Sequence, residues 1–262
     1  MYERMRSVIG EMAVVLTCAP MLVGCLEAPA DEPALGDVSQ ATTCGSTDES
    51  QHVNIYDGSF ERFPVAFVRA HKGPVGALET TSSDSSSVKF CTGTLISANR
   101  FLTAGHCISS GSVGQFVSFN FELNLIPILT VGPQTHVVIT EVLEDDVGGV
   151  DYAIVRLAGS PGNTFGVTPV APADALAGSP IAMIGHPDHH PKMVEAGTVA
   201  PDSDASAIRY FNLDTLGGSS GSGLLDPQGR IVGVHTNGGC TASGGTNFGT
   251  PISRIRAVSN IL

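Results

Sequence analysis

The sequence predicts an all-β protein. Its composition is rich in Gly, Val, Ile, Thr and Ser, only 15% of the 262 residues are charged, and Trp is absent. Such a composition is typical of many short strands joined by turns. Apolar, β-branched segments recur between Gly and Pro, whereas a helical spacing of apolar residues stands out only at Ile252, Ile255, Val258 and Ile261. We therefore expect a sheet protein that closes with one short helix.

The strand-like segments follow one another from Ile55 onward. A Gly- and Pro-rich stretch at 158–166 divides them into two halves, as an interdomain connector does. Ala98 and Asn99 are expected to form the turn between two consecutive strands. Strands are predicted at 63–69, 89–97, 100–104, 116–122, 126–131, 136–142, 151–157, 180–185, 193–199, 207–213, 223–225, 231–234 and 246–250.

The N-terminus has the pattern of an export signal. Arg4 and Arg6 precede an apolar run at 8–23, which Glu11 interrupts, so a spanning helix is disfavoured. The run ends in Leu-Val-Gly-Cys25, which resembles the bacterial lipoprotein box. That resemblance implies a signal peptide at 1–25, lipidation of Cys25 and a location on the outer membrane or outside the cell. The alternative is an ordinary signal peptide with a chance cysteine. Residues 26–54 are expected to be a tether or propeptide.

Charge and cysteine content exclude several classes of function. The net charge is −12, and removal of residues 1–25 leaves it unchanged, so nucleic acid is not an expected partner. Membrane contact is expected only through the lipid anchor. Four cysteines remain after the signal, an even number suited to disulfides in an oxidising compartment. Because no CxxC or Cys/His ligand spacing occurs, a zinc site is not expected.

The most informative stretch is the Gly- and Ser-rich loop at 213–223, LDTLGGSSGSG. It fits either a flexible turn or a nucleophile loop, in which backbone N–H groups converge on an oxyanion while one Ser attacks. Two upstream residues favour the nucleophile loop. His106 ends a predicted strand in the sequence FLTAGHC, where its ring is suited to general base catalysis. Asp151 opens the strand DYAIVRL and is suited to orient an imidazole.

Together with the preceding CTGTLI strand, these segments resemble the chymotrypsin-like serine proteases over most of residues 55–262. The resemblance implies two antiparallel six-stranded β-barrels, at 55–160 and 161–262, with the active site between them. It further implies a Cys91–Cys107 disulfide and a catalytic pair of His106 and Asp151, which stand 45 residues apart as is typical of the family. Neither a metal nor an organic cofactor is implied.

Two serines compete for the role of nucleophile. The family signature G-x-S-G aligns with Gly218 to Gly221 and names Ser220, with the N–H groups of Gly218 and Ser220 as the oxyanion hole. Read as G-x-S-x-G, the loop names Ser219 and evokes an α/β-hydrolase, but that fold needs its acid and His well downstream. Many family members carry Asp before the nucleophile as part of a zymogen switch. Ser219 stands at that position, so the switch lacks its carboxylate.

Substrate specificity has two competing indications. In the bacterial glutamyl endopeptidase branch, residues at the offsets of Thr215 and His235 line the primary pocket, which implies cleavage after Glu. Asp214 occupies the offset of the trypsin-type pocket floor, which implies Arg or Lys. We favour acidic specificity because two residues support it. Thr236 is an alternative support for Asp151, and the histidines of the GHPDHHP segment (186, 189 and 190) are expected in a surface loop.

The sequence as a whole indicates an exported, monomeric serine endopeptidase that acts on proteins or peptides. A catalytically silent relative used as a binding module is the second interpretation, and an esterase is the third. Cys240 lacks the partner usual in the family, so it either pairs with Cys44 or stays free.

Overall fold

The computed structural model describes residues 43–85, 89–124 and 129–262. The expectations for the export signal, for Cys25 and for residues 26–42 therefore lie outside the described residues. So does part of the strand expected at 126–131, of which Thr130–Val131 is seen as a strand. In the described part of the chain, no helix combines the length and the apolar character needed to cross a membrane.

The described chain is built mainly from short strands. In chain order they are β1 (Gln51–His52), β2 (Val75–Glu79), β3 (Lys89–Leu95), β4 (Arg100–Thr103), β5 (Phe116–Phe119), β6 (Leu123–Asn124), β7 (Thr130–Val131), β8 (Thr135–Asp145), β9 (Ala153–Leu157), β10 (Pro180–Gly185), β11 (Met193–Val199), β12 (Ile208–Phe211), β13 (Gly223–Leu225), β14 (Ile231–Asn237), β15 (Cys240–Thr241), β16 (Gly244–Gly245) and β17 (Asn247–Pro251).

Two closed barrels of six antiparallel strands organise these elements, as the resemblance implied. The first barrel follows the order β2-β3-β4-β9-β8-β5 and closes through the β2–β5 pair. The second follows β11-β10-β13-β14-β17-β12 and closes through β11–β12, with β1 added to the outer side of β11. Closure removes the unpaired edges that an open sheet would expose. Alternating apolar residues fill the interiors; Leu102, Phe119 and Ile154 are fully buried in the first, Ile181 and Tyr210 in the second.

Three short helices complete the fold: α1 (Val65–His71), α2 (Gly162–Phe165) and α3 (Ile252–Val258). The C-terminal helix α3 confirms the prediction from apolar spacing. The strand predicted at 63–69 is wrong, because this segment forms α1. Phe63, Phe67 and His71 repeat every fourth residue, and their rings contact one another along one side of the helix. Pro64 at the N-cap supplies the extended angle from which the helix starts.

Residues 43–54, part of the predicted tether, are folded against the second barrel. Gln51 and His52 pair with β11, and Val53 is buried. Cys44 forms a disulfide with Cys240, which settles the alternative between pairing and a free thiol. The division of the chain at residue 160 stays a prediction; the first barrel's last strand ends at Leu157 and the second's first begins at Pro180.

Candidate active site

His106 and Asp151 meet at the end of the first barrel. His106 lies in a 3₁₀ turn, Gly105–Cys107, directly after β4, and Asp151 lies just before β9, the strand that pairs with β4. Asp151 Oδ2 is 2.9 Å from His106 Nδ1, and Asp151 Oδ1 accepts the backbone N–H of His106 at 3.0 Å. Gly105 permits this packing, since a Cβ there would clash with the carboxylate of Asp146 and would also sit 3.1 Å from Asp151 Oδ1.

The carboxylate of Asp151 is held in its charged form. Burial by itself raises the pKa of Asp151, but the hydrogen bonds and charge of His106, with the N–H of Gly105, outweigh burial and lower it. The side chains of His106 and Asp151 keep 39% and 34% of their exposure. The pair is therefore reachable from solvent, and its bond at Nδ1 leaves Nε2 of His106 for a proton acceptor role.

The Gly- and Ser-rich loop approaches this pair from the second barrel, between β12 and β13. The Ser220 carbonyl accepts the N–H of Thr92 at 2.8 Å and lies 3.9 Å from Sγ of Cys107, the neighbour of His106. Cys107 is bonded to Cys91, as the resemblance implied. Strand β3, the turn that carries His106 and the Gly- and Ser-rich loop at 213–223 (the serine loop) therefore lie next to one another.

The two candidate serines have different environments. Ser219 is fully buried; its N–H donates to the Leu216 carbonyl at 2.9 Å, and its hydroxyl accepts the Leu216 N–H at 3.2 Å. Ser219 therefore stabilises the loop from within. Ser220 is half-buried, and its hydroxyl has no hydrogen bond among the described residues. This difference favours Ser220 as the reactive hydroxyl.

The same loop presents free backbone donors on either side of Ser219. In the described part of the chain, the N–H groups of Gly218 and Ser220 donate to no protein acceptor, although their neighbours Ser219 and Gly221 do. Gly218 has φ of 92° and Gly221 has φ of 87°, angles that favour glycine. Unpaired N–H groups beside a candidate nucleophile are suited to stabilise an oxyanion.

Thr215 lies within the serine loop and His235 lies on the adjacent strand β14; both are buried. Among the residues that the structure describes, the Thr215 hydroxyl has no hydrogen-bond partner, and the carbonyl of His235 accepts the N–H of Gly221 at 2.8 Å. The Tyr210 hydroxyl hydrogen-bonds to Nδ1 of His235. Burial, aided by the charge of His106, lowers the pKa of His235 to about 3, so its ring is neutral at physiological pH. The Thr215 hydroxyl and the neutral ring of His235 are both able to donate a hydrogen bond.

Asp214 does not stand free. Its two carboxylate oxygens accept the N–H groups of Cys44 and Glu49, the latter at 3.1 Å, and only 7% of the residue is exposed. Its carboxylate, with those of Glu195 and Asp48, offers oxygens within 4.8 Å of one another. Burial first, then the charges of Asp214 and Asp48, raise the pKa of Glu195 to about 9, so Glu195 is uncharged at neutral pH.

Several features differ from the sequence expectations. His186 is not at the surface, because its ring is buried and stacks on Phe121; His189 and His190 are exposed as expected. The Thr236 hydroxyl lies 3.5 Å from the Phe248 carbonyl, whereas the Thr250 hydroxyl donates to the Asp151 carbonyl at 2.9 Å.

Sequence reasoning missed Thr250 and Thr92. A lone buried threonine on a strand carries no local signal for a contact with a distant loop, so no pattern in the sequence marks either residue.

The chain is similar to several known proteins. The model of the family "Trypsin-like peptidase domain" matches residues 91–234, more than half of the chain. Exfoliative toxin A of Staphylococcus aureus is 29% identical over 157 residues, 56% of this chain and 55% of its own. Glutamyl endopeptidase of Bacillus licheniformis is 29% identical over 191 residues, which cover 65% of this chain and 58% of its own. An extracellular metalloprotease of Bacillus subtilis is 28% identical over 176 residues, which cover 62% of this chain and 56% of its own.

The chain thus spans somewhat more than half the length of these curated relatives. Among solved structures, a Glu endopeptidase in complex with MPD superposes with a TM-score of 0.58 at 23% identity, over 82% of this chain and 96% of its own. At that identity the likeness shows the fold, which is chymotrypsin-like. The family match carries the assignment further: this chain belongs to the trypsin-like peptidase family.

Proposed function

We propose that this protein is a serine endopeptidase in which Ser220, His106 and Asp151 carry the reaction. The observation that supports this proposal most directly is the double contact of Asp151 with the ring and backbone of His106, beside a loop with a half-buried serine and with the unpaired N–H groups of Gly218 and Ser220. Proteins or peptides are the substrates, in keeping with the family.

Each group has a defined task in this proposal. The Ser220 hydroxyl attacks the peptide carbonyl while Nε2 of His106 takes its proton and later passes it to the leaving amine. Asp151 keeps the ring in the tautomer with the proton on Nδ1 and stabilises the imidazolium that forms. The N–H groups of Gly218 and Ser220 bind the oxyanion of the tetrahedral intermediate. Water then hydrolyses the acyl-enzyme.

Labelling with a fluorophosphonate probe tests the choice of nucleophile. We expect Ser220→Ala to abolish labelling and to lower kcat by roughly 10⁴-fold or more. Ser222→Ala is the matched control, because Ser222 is a buried serine of the same loop whose hydroxyl lacks a partner. Labelling that persists in Ser220→Ala and disappears in Ser219→Ala would assign the other serine. A wild type that neither labels nor cleaves casein would support a binding module instead.

We further propose that the enzyme cleaves after Glu. The unpartnered hydroxyl of Thr215 and the neutral imidazole of His235 supply donors for a substrate carboxylate. The trypsin-type alternative needs a free carboxylate at Asp214, but two backbone N–H groups already occupy that carboxylate. The uncharged state of Glu195 also reduces the negative charge that an acidic substrate would meet.

A peptide library with all residues at the cleaved position tests this specificity. We expect Thr215→Val to lower the ratio of cleavage after Glu to cleavage after Leu by about tenfold, since a buried donor is lost. Thr168→Val is the control, because Thr168 is equally buried and its hydroxyl is also unpartnered. Preference of the wild type for Arg or Lys would overturn the assignment of the pocket and leave the catalytic proposal intact.

A further inference from the structure

Thr92, on strand β3 of the first barrel, makes an unusual set of contacts with the serine loop of the second. It is fully buried. Its hydroxyl donates to the Gly218 carbonyl at 2.8 Å and accepts the backbone N–H of His186 at 3.0 Å. Its own N–H donates to the Ser220 carbonyl at 2.8 Å. One residue therefore holds the carbonyls of both Gly218 and Ser220, the two residues proposed to bind the oxyanion.

The peptide units of this loop are fixed on both sides of Gly218. The N–H of Asp188 donates to the Gly217 carbonyl, and because a trans peptide is planar, the Gly218 N–H must point the opposite way. The Gly218 carbonyl is fixed in turn by the Thr92 hydroxyl. The Ser219 N–H, which belongs to the same peptide unit as the Gly218 carbonyl, donates to the Leu216 carbonyl on its other side.

Without such contacts, the loop would have other conformations within reach. Gly218 has no Cβ and a φ of 92°, so its backbone is free to rotate at low steric cost. Rotation of a neighbouring peptide would place a carbonyl where an oxyanion donor now lies. The family's usual carboxylate before the nucleophile is absent here, and the hydroxyl of Ser219 bonds only within the loop. Contacts from outside the loop therefore add to those of Ser219 within it in defining its conformation.

We propose that Thr92 is a positioning residue for catalysis, whose hydroxyl holds Gly218 and the serine loop in the conformation that leaves the N–H groups of Gly218 and Ser220 free for the oxyanion. This inference rests on the proposed peptidase function. Loss of the hydroxyl leaves the Gly218 carbonyl and the His186 N–H without partners in a buried site. A buried group without a partner is costly, so the loop would shift to satisfy it.

Three variants test this inference. Thr92→Val keeps shape and volume but removes the hydroxyl, and Thr92→Ser restores the hydroxyl. Thr94→Val is the matched control, because Thr94 lies two residues further along β3, is 2% exposed, and has a hydroxyl without a hydrogen bond among the described residues. We expect Thr92→Val to lower kcat roughly 10- to 100-fold, somewhat less than direct loss of an oxyanion donor. KM should change by less than about threefold, because ground-state binding is untouched.

Two further measurements separate positioning from general destabilisation. A peptide boronate, whose adduct places an oxygen in the oxyanion hole, should lose affinity for Thr92→Val by the same factor as kcat. Hydrogen exchange of the peptide covering 214–222 should become faster in Thr92→Val and stay at the wild-type rate in Thr92→Ser and Thr94→Val. These readouts would not change together if Thr92 only stabilised the barrel.

The outcomes that overturn the inference are distinct from failure of the proposed function. Unchanged kcat, boronate affinity and loop exchange in Thr92→Val would reject the role of Thr92. An equal loss in Thr94→Val would reduce that role to ordinary packing. If the wild type shows no Ser220-dependent labelling, the peptidase proposal fails, and loop exchange in Thr92→Val then decides by itself whether the hydroxyl holds the loop.

Discussion

The carboxylate of Asp151 illustrates how a single side chain serves two donors of one residue. Its oxygens bind the ring Nδ1 and the backbone N–H of His106 separately, so both the position and the tautomer of the ring are defined. The second contact also ties the acid to the turn that carries the histidine. A carboxylate in this arrangement stabilises an imidazolium without taking its proton.

We expect Asp151→Asn to lower kcat by about 10⁴-fold with little change in KM, because an amide no longer enforces the tautomer with the proton on Nδ1. Steady-state kinetics on a peptide substrate at pH 7.5 measures this effect. Asp146→Asn is the control, since Asp146 also lies against Gly105 but makes no hydrogen bond to His106 among the described residues. Equal losses in both variants would show that local charge, and not the contact with His106, is what matters.

At the level of elements, β11 carries a carboxyl group into a site crowded with acids. Glu195 is 3% exposed, and its Oε1 has no hydrogen-bond partner within the described ranges. Asp48, in the segment 43–50, and Asp214, in the loop between β12 and β13, both lie beside Glu195. Burial and these charges raise the pKa of Glu195 to about 9. The folded state therefore holds a proton that the unfolded chain releases above its ordinary pKa of 4.5.

This difference makes stability fall as pH rises from about 4.5 to about 9. We expect Glu195→Gln to remove this pH dependence of stability, because the amide has no proton to lose. At pH 8 the variant should then have a Tm higher by on the order of 5 °C, whereas near pH 4, where Glu195 is protonated in both the folded and the unfolded wild type, its Tm should be unchanged. Thermal unfolding of both proteins across this range provides the measurement. The exposed Glu61→Gln serves as control, and a Tm difference that does not depend on pH would contradict the explanation.

For the molecule as a whole, a buried lysine joins the two halves of the fold. Lys192 precedes β11 of the second barrel; its N–H donates to the Phe121 carbonyl, and its Nζ donates to the Lys72 carbonyl at 2.8 Å and to Glu122 at 3.1 Å. Burial, partly offset by Glu122, lowers the pKa of Lys192 to about 8, so the residue stays charged at neutral pH. All three acceptors belong to the first half of the chain.

We expect Lys192→Met to lower the free energy of unfolding by about 3 kcal/mol, because the buried carboxylate of Glu122 loses one of its two lysine partners and the Lys72 carbonyl loses its side-chain donor. Arg156→Met, which removes a surface ion pair with Glu141, should cost less than about 1 kcal/mol. Urea unfolding at neutral pH distinguishes the two. If both variants lost the same small amount, Lys192 would have no special part in joining the halves.

Much of the fold was predictable because its signals are local. Strands β10, β11 and β13 match the predicted bounds, and α3 follows its apolar spacing. The exception is α1, where β-prone residues form a helix because a four-residue repeat of rings packs along one side. Such packing depends on neighbours that propensity does not describe.

The sequence by itself determined the all-β class and the closing helix, since both rest on composition and local spacing. The resemblance of its short motifs to a family implied the two barrels and the Cys91–Cys107 pair, and it named the histidine, acid and serine to consider. The tertiary structure alone decided that Asp214 is capped by residues 44 and 49, that His186 is buried, and that Thr92 holds the serine loop. These contacts join segments about 90 to 170 residues apart. Burial and hydrogen-bond partners at such separations arise only when the barrels close and pack, so no local pattern encodes them.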